Sequence, residues 1–191
     1  MSAAHAAQVH FDKAFGVVSA ATQQRHALLP AVVADKAPAM PEPLLKREGN
    51  LRFAGVASPG YPADPFVLVD QVCKQLSGLE LVPHGPASVW FAVGPDEAPP
   101  SAWDCQVGMA VTGLPVPIPG VAVEDYRNLY ALSLPHVGTV RDLCRTHQRL
   151  VAHAKTMGYH VRPYWRLALR ERQLADGNLL PVADVAVFLD R

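Results

Sequence analysis

Trp90, Tyr164, Arg166 and Asp184 stand on segments that read as strands, and strand alternation puts them on one face. An indole near a guanidinium forms an aromatic wall with a cationic partner, a surface on which a planar organic molecule can lie. Gly108, Ala110 and Phe188 share that face, together with Ser88, Ala92, Ala168 and Ala186. Small residues interleaved with aromatics and one charge of each sign suit a concave surface; a plain solvent face would carry more Lys, Glu and Thr. Two bland readings stand beside this one. In the first, Arg166 is used up in a pair with Asp184 on the neighbouring strand, because buried charges are normally paired. Trp90 equally reads as filler of a seam between two halves. His136, before Gly138 at a strand–helix junction, brings a titratable group to the cleft or serves only as a structural loop histidine. The expected ligand-binding set is therefore Trp90, Gly108, Ala110, Tyr164, Arg166, Asp184, Phe188 and His136.

No catalytic residue, metal or cofactor is expected. The eight histidines form no zinc spacing, and His147 and His153, six apart, fall on different faces of a helix. Cys73, Cys105 and Cys144 lack basic partners and read as inert core. There is no glycine-rich phosphate loop, no Gly-x-Ser-x-Gly elbow and no carboxylate pair; Glu124 and Asp125 begin a strand, point opposite ways and read as solvated. Trp165 and Tyr130 read as core, and Trp103 and Tyr61 as loop anchors.

Composition narrows the class. Half of the 191 residues are hydrophobic and 18% are charged, which predicts a packed globular protein. Lys+Arg and Asp+Glu both number 17, leaving none of the basic excess on which nucleic-acid affinity rests, so no nucleic-acid partner is expected. No apolar run reaches the roughly 20 residues of a membrane span. His5, Gln8, His10, Asp12 and Lys13 interrupt any signal-peptide core, and three scattered cysteines fit a reducing compartment, so the expected location is cytoplasmic with no membrane partner.

The elements that must position these residues are arranged twice. Residues 1–48 read as an arm: a helix over about 8–29, then a proline-rich tether at Ala37–Pro43, available to a protein partner or a dimer. Residues 49–191 form the main domain. Its first half, about 50–112, predicts strand Leu51–Ala57, a helix bearing Phe66, Val69, Cys73 and Leu76 and stopped at Gly78, then strands Ser88–Val93 and Cys105–Thr112. The second, about 121–191, predicts strand Leu129–Leu134, helix Val140–Met157 stopped at Gly158, strand Tyr164–Arg170, a turn at Asp176–Gly177 and strand Val182–Leu189. Gly60 and Gly138, Gly78 and Gly158, Pro83 and Pro163, and Val107 and Val185 recur at offsets of 78 to 80, and the linker Gly113–Gly120 holds three prolines. The expected fold class is α+β: two pseudo-symmetric β-α-β-β repeats, antiparallel sheets with helices on one face, and a ligand cleft between the repeats.

This order of elements, the stretch Asp104–Val111, the run His136-Val137-Gly138, and the passage from Gly158-Tyr159 through Pro163-Tyr164-Trp165-Arg166 resemble the GyrI-like family over about residues 50–191. That module also occurs as the effector-binding domain of AraC- and MerR-type regulators. The resemblance implies binding of a small planar or amphipathic molecule, for sequestration or sensing, by a chain with no recognisable DNA-binding domain of its own. It also leaves room for a hydrolase of drug-like compounds in the same cleft, or for an inhibitory protein–protein module. Many members carry a glutamate about three residues after the proline, facing the pocket and meeting cationic drugs. Here that position is Arg166, which points instead to an anionic or neutral aromatic ligand.

Overall fold

The computed structural model describes residues 41–95, 99–114, 116–136, 138–170 and 183–190. The arm helix expected over 8–29 and the turn at Asp176–Gly177 lie outside these residues.

Alternation of apolar and polar positions produces six strands, and two helices cover their outer face. In chain order they are β1 (Leu44–Pro59), α1 (Pro65–Leu76), β2 (Val82–Phe91), β3 (Asp104–Thr112), β4 (Ala122–His136), α2 (Leu143–Thr156), β5 (His160–Leu169) and β6 (Ala183–Asp190). The strands do not form two separate sheets. They close into one antiparallel barrel in the order β1-β3-β2-β5-β6-β4. The class is α+β, as expected, but closure comes from strands longer than the sequence predicts. β1 starts at Leu44, within the segment read as arm and tether, and its first residues pair with Tyr130–Ser133 of β4. β4 starts at Ala122 and not at Leu129. Both extensions are rich in charged residues, because one of their faces meets solvent or the barrel lumen.

Local chemistry sets the helix ends. Asp64 caps α1 by accepting from the Phe66 N–H at 2.9 Å, with Pro65 in the first turn, where its missing N–H costs nothing. The turn before α2 is closed by Asp142, whose carboxylate accepts from both the N–H and the hydroxyl of Thr139 while its own N–H donates to the Thr139 carbonyl. Each helix buries one stripe, Pro65, Val69, Val72 and Leu76 on α1 and Leu143, His147, Leu150 and Ala154 on α2. None of the described helices is long and apolar enough to cross a membrane.

The period-2 split of the strands matches the expected faces. Val89, Phe91, Val107, Trp165, Leu167, Val185, Val187 and Leu189 pack outward into the helix-covered core. Phe53, Trp90, Leu129, Ala131, Ala186 and Phe188 fill the lumen. Burying each large apolar side chain contributes about 1.5–3 kcal/mol, so both layers hold the barrel closed.

β1 and β3 cross closely where Gly55 faces Gly108. A Cβ on Gly108 would stand 1.9 Å from the Ala54 carbonyl oxygen and 2.6 Å from the Gly55 Cα, both backbone atoms that cannot yield without moving a strand. Gly108→Ala is therefore expected to cost about 2 kcal/mol or more, read as a lower midpoint in urea at unchanged slope. A loss below about 0.5 kcal/mol would show that the crossing is not tight.

Candidate functional site

At one end of the barrel the lumen opens into a cavity of about 590 Å3. Its walls come from the last residues of β1 (Ala57–Pro59), the end of β2 with Ala92 (Trp90–Ala92), the start of β3 (Asp104–Gln106), Glu124 and Tyr126 on β4, and Tyr164 on β5. Trp90 is the centre of the aromatic part. Tyr126 stacks on it at 4.3 Å between ring centroids and Phe188 at 5.0 Å, while Phe53 and Tyr164 lean against it at 5.5 and 6.0 Å. Pairs of this kind add about 0.5–1.5 kcal/mol each beyond area burial, so the cluster is a firm wall.

The charge in the cavity is negative. Glu124 is held from both sides, its Oε1 accepting from the Gln106 amide and its Oε2 from the Tyr126 hydroxyl, each at 2.6 Å. Burial and the Glu124 carboxylate together raise the Tyr126 phenol above its ordinary range, so it stays a neutral donor. Asp104 adds an exposed carboxylate at the lining, and among the described residues no lysine, arginine or histidine lines the cavity. Cys105 is there too, but burial pushes its thiol up to about 11, which leaves it protonated and a poor nucleophile. Among the described residues no group of three or more His, Cys, Asp or Glu could hold a metal ion.

The expected site residues divide. Trp90 and Tyr164 line the cavity, with Phe188 and Arg166 directly behind Trp90. The other four lie elsewhere. Gly108 is consumed by the β1–β3 crossing, and Ala110 sits across from Phe53 on β1. Asp184 is paired across from Ala168 and binds Arg170 through both oxygens at 2.8 Å. His136 is buried beneath the turn into α2, its Nδ1 2.8 Å from the Thr146 hydroxyl and its Nε2 3.3 Å from the Thr139 carbonyl. The carbonyl can only accept, so Nε2 carries the proton and Nδ1 accepts from Thr146.

Arg166 does not pair with Asp184. Its register neighbours are Trp90 on β2 and Ala186 on β6, and its guanidinium lies 5.5 Å from the centres of both Trp90 and Phe188. From there it crosses the lumen to Glu48 on β1, and the two side chains are only 12% and 11% exposed. Its charge is spent inside the barrel before any ligand arrives. The residues that sequence reasoning missed, Glu48, Gln106, Glu124 and Tyr126, all depend on barrel closure. Strand parity alone puts Glu124 and Tyr126 on one face, and this signal separated Glu124 from Asp125, which turns outward to Arg52.

The fold is shared with several solved structures at low sequence identity. The C-terminal domain of EcmrR superposes with a TM-score of 0.60 at 12% identity, over 78% of this chain and 98% of that one. A hydrolase from Listeria innocua gives 0.55 at 12% identity, over 79% and 93%, and an uncharacterised conserved protein from the same organism gives 0.53 at 13%, over 79% and 93%. No family model and no curated protein matches the chain.

Two measurements probe this geometry. Glu48→Ala leaves the buried Arg166 guanidinium without its partner and is expected to cost about 3 kcal/mol, much of it regained in Glu48→Ala/Arg166→Met. A double variant no more stable than the single would mean that the pair is not coupled. Burial lowers the His136 pKa against the smaller opposing effects of the Thr139 carbonyl and the Asp142 charge. The unfolded chain then binds a proton at His136 that the folded one refuses, so this contribution to stability is present above the ordinary histidine value of about 6.5 and falls away as the pH drops below it. Urea midpoints taken between pH 7.5 and 5 should decline, and His136→Gln should flatten the slope; an equal slope in both proteins would assign it to other groups.

Proposed function

We propose that the chain binds a planar or amphipathic small organic molecule in the luminal cavity, and that the cavity prefers a cation to an anion. The observation that carries this reading is Glu124, a carboxylate held in place by Gln106 and Tyr126 on a wall of stacked aromatics, with no basic side chain among the described lining residues. A fixed carboxylate attracts a cation, and aromatic faces add cation–π attraction of about 0.5–2 kcal/mol. The anionic ligand expected from Arg166 loses its basis because Glu48 already neutralises that guanidinium. Fold likeness to EcmrR and to the Listeria proteins supports small-molecule binding as the class of function. We read the two successive strand–helix–strand–strand runs as repeats whose junction shapes the cleft.

Hydrolysis is the second reading, supported by the printed name of the Listeria neighbour. Both Glu124 oxygens already accept hydrogen bonds, which suits a fixed charge better than a general base.

A set of ligands on one skeleton tests the proposal: 5-methylphenanthridinium as cation, phenanthridine as neutral ring and phenanthridine-6-carboxylate as anion. Calorimetry should rank the cation about tenfold above the carboxylate, a difference of about 1.4 kcal/mol, and Glu124→Gln should remove most of that preference. Tryptophan quenching should follow binding, because Trp90 lines the cavity. Binding of none of the three would overturn the proposal, and anion preference would overturn its charge assignment. Chromatography of each ligand after incubation reads any turnover.

A further inference from the structure

A second carboxylate meets the cavity at its rim. Asp104, the first residue of β3, lines it and is exposed, as are Ala57, Pro59 and Ala92 around it. Residues two apart on a strand face the same side, so Asp104 projects with Gln106, about 7 Å further toward the mouth. The Gln106 amide in turn grips Glu124 at 2.6 Å. The cavity therefore carries negative charge at two depths: Glu124, half-buried against the aromatic wall, and Asp104 at the rim, across from Pro59.

Among the described residues neither charge is cancelled. The ion pairs join Arg52, Arg162, Arg166 and Arg170 to Asp125, Asp190, Glu48 and Asp184, and none of them involves Asp104 or Glu124. Arg162 comes nearest to the lining, because it donates to the Tyr164 hydroxyl at 2.8 Å. Its Nε is bound to Asp190 at 2.7 Å, so that positive charge is already balanced. Tyr126 and Gln106, the hydrogen-bond partners of Glu124, are neutral. Two uncompensated carboxylates about 7–10 Å apart repel each other, and one ligand with two positive centres at that spacing relieves both.

We propose that the cavity selects dications: a planar aromatic cation whose ring lies on the Trp90 wall near Glu124, joined by a flexible chain to a second cationic group that Asp104 holds at the mouth. This rests on the reading of the cavity as a site for planar cations and adds to it a second charge and its spacing. The two carboxylates contribute unequally. Glu124 acts among aromatic rings, where its field is little screened, whereas Asp104 is exposed and acts through water and salt. Recognition of the second charge is therefore a modest increment that fades as salt rises, and it depends on a side chain that the aromatic wall does not use.

The test uses the full chain and calorimetry with two ligands of one shape. One is 5-(5-trimethylammoniopentyl)phenanthridinium, a dication. The other is its carbon isostere 5-(6,6-dimethylheptyl)phenanthridinium, a monocation, and 5-methylphenanthridinium serves as reference. The carbon end is also the more apolar, so the reading is how the affinity ratio of the pair changes on Asp104→Asn, which keeps the side-chain volume at an exposed position. The ratio of dication to isostere is expected to fall about three- to fivefold in the variant at about 0.01 M salt, and less than about twofold at about 0.5 M. An unchanged ratio at low salt, whether both affinities hold or fall together, would overturn the second anchor; with the reference cation still bound, the binding site itself would stand. Absence of binding by all three ligands to the wild-type chain would overturn both.

Discussion

The site depends on β1 reaching across to β4. Leu44–Arg47 pair with Tyr130–Ser133, and Leu51–Gly55 with Ala122–Tyr126. This ladder joins the two halves of the chain on one side, and β2–β5 joins them on the other, over the short register from Ser88 to Phe91. With both joints made, inward-facing residues have only each other and the open end of the lumen to face. The stacked aromatics, the small residues Ala131 and Ala186 and the enclosed charges follow from that confinement. The irregularities around Gly49, which has a positive φ, let β1 change register partway along β4.

Confinement also decides the sign of the cavity. A guanidinium on β5 faces inward next to an indole and would make the lumen basic if it stood alone. β1 brings Glu48 to it, and the pair is neutral as a unit. Of the two carboxylates that line the cavity, Asp104 is exposed and Glu124 has a glutamine and a phenol as partners, neither of which cancels its charge. The sign of the cavity is thus set by which carboxylate the barrel spends on Arg166, and the sequence position of the guanidinium alone does not decide it.

Much of the fold was readable locally. Gly78 and Gly158 stop the two helices, and period-2 alternation sorted Val89, Phe91 and Trp165 from Trp90, Tyr164 and Phe188. What failed was non-local. Lys46, Arg47 and Glu48 resemble part of a solvated tether until β4 is placed beside β1. Glu124 reads as solvated until Gln106 and Tyr126 close around it. Asp184 reads as the partner of Arg166 because it is a neighbouring charge of opposite sign, but it lies two residues beyond Ala186 along β6, at the level where Arg170 reaches it. Aromatic wall residues were visible because a tryptophan on a small-residue face is conspicuous; the polar groups beside them, Gln106 and Glu124, carry no such mark.

Glu48 and Arg166 are 118 residues apart in the chain. Contacts of such long separation are entropically costly to close and form late in folding. A chain caught before β1 docks would present Trp90, Phe188 and the inward face of β5 and β6 as an open apolar sheet with a bare edge, the kind of surface that drives association between chains. A ligand that recognises only the closed lumen would withdraw chains from that exposed population by mass action, and so protect the protein from aggregation as it is made.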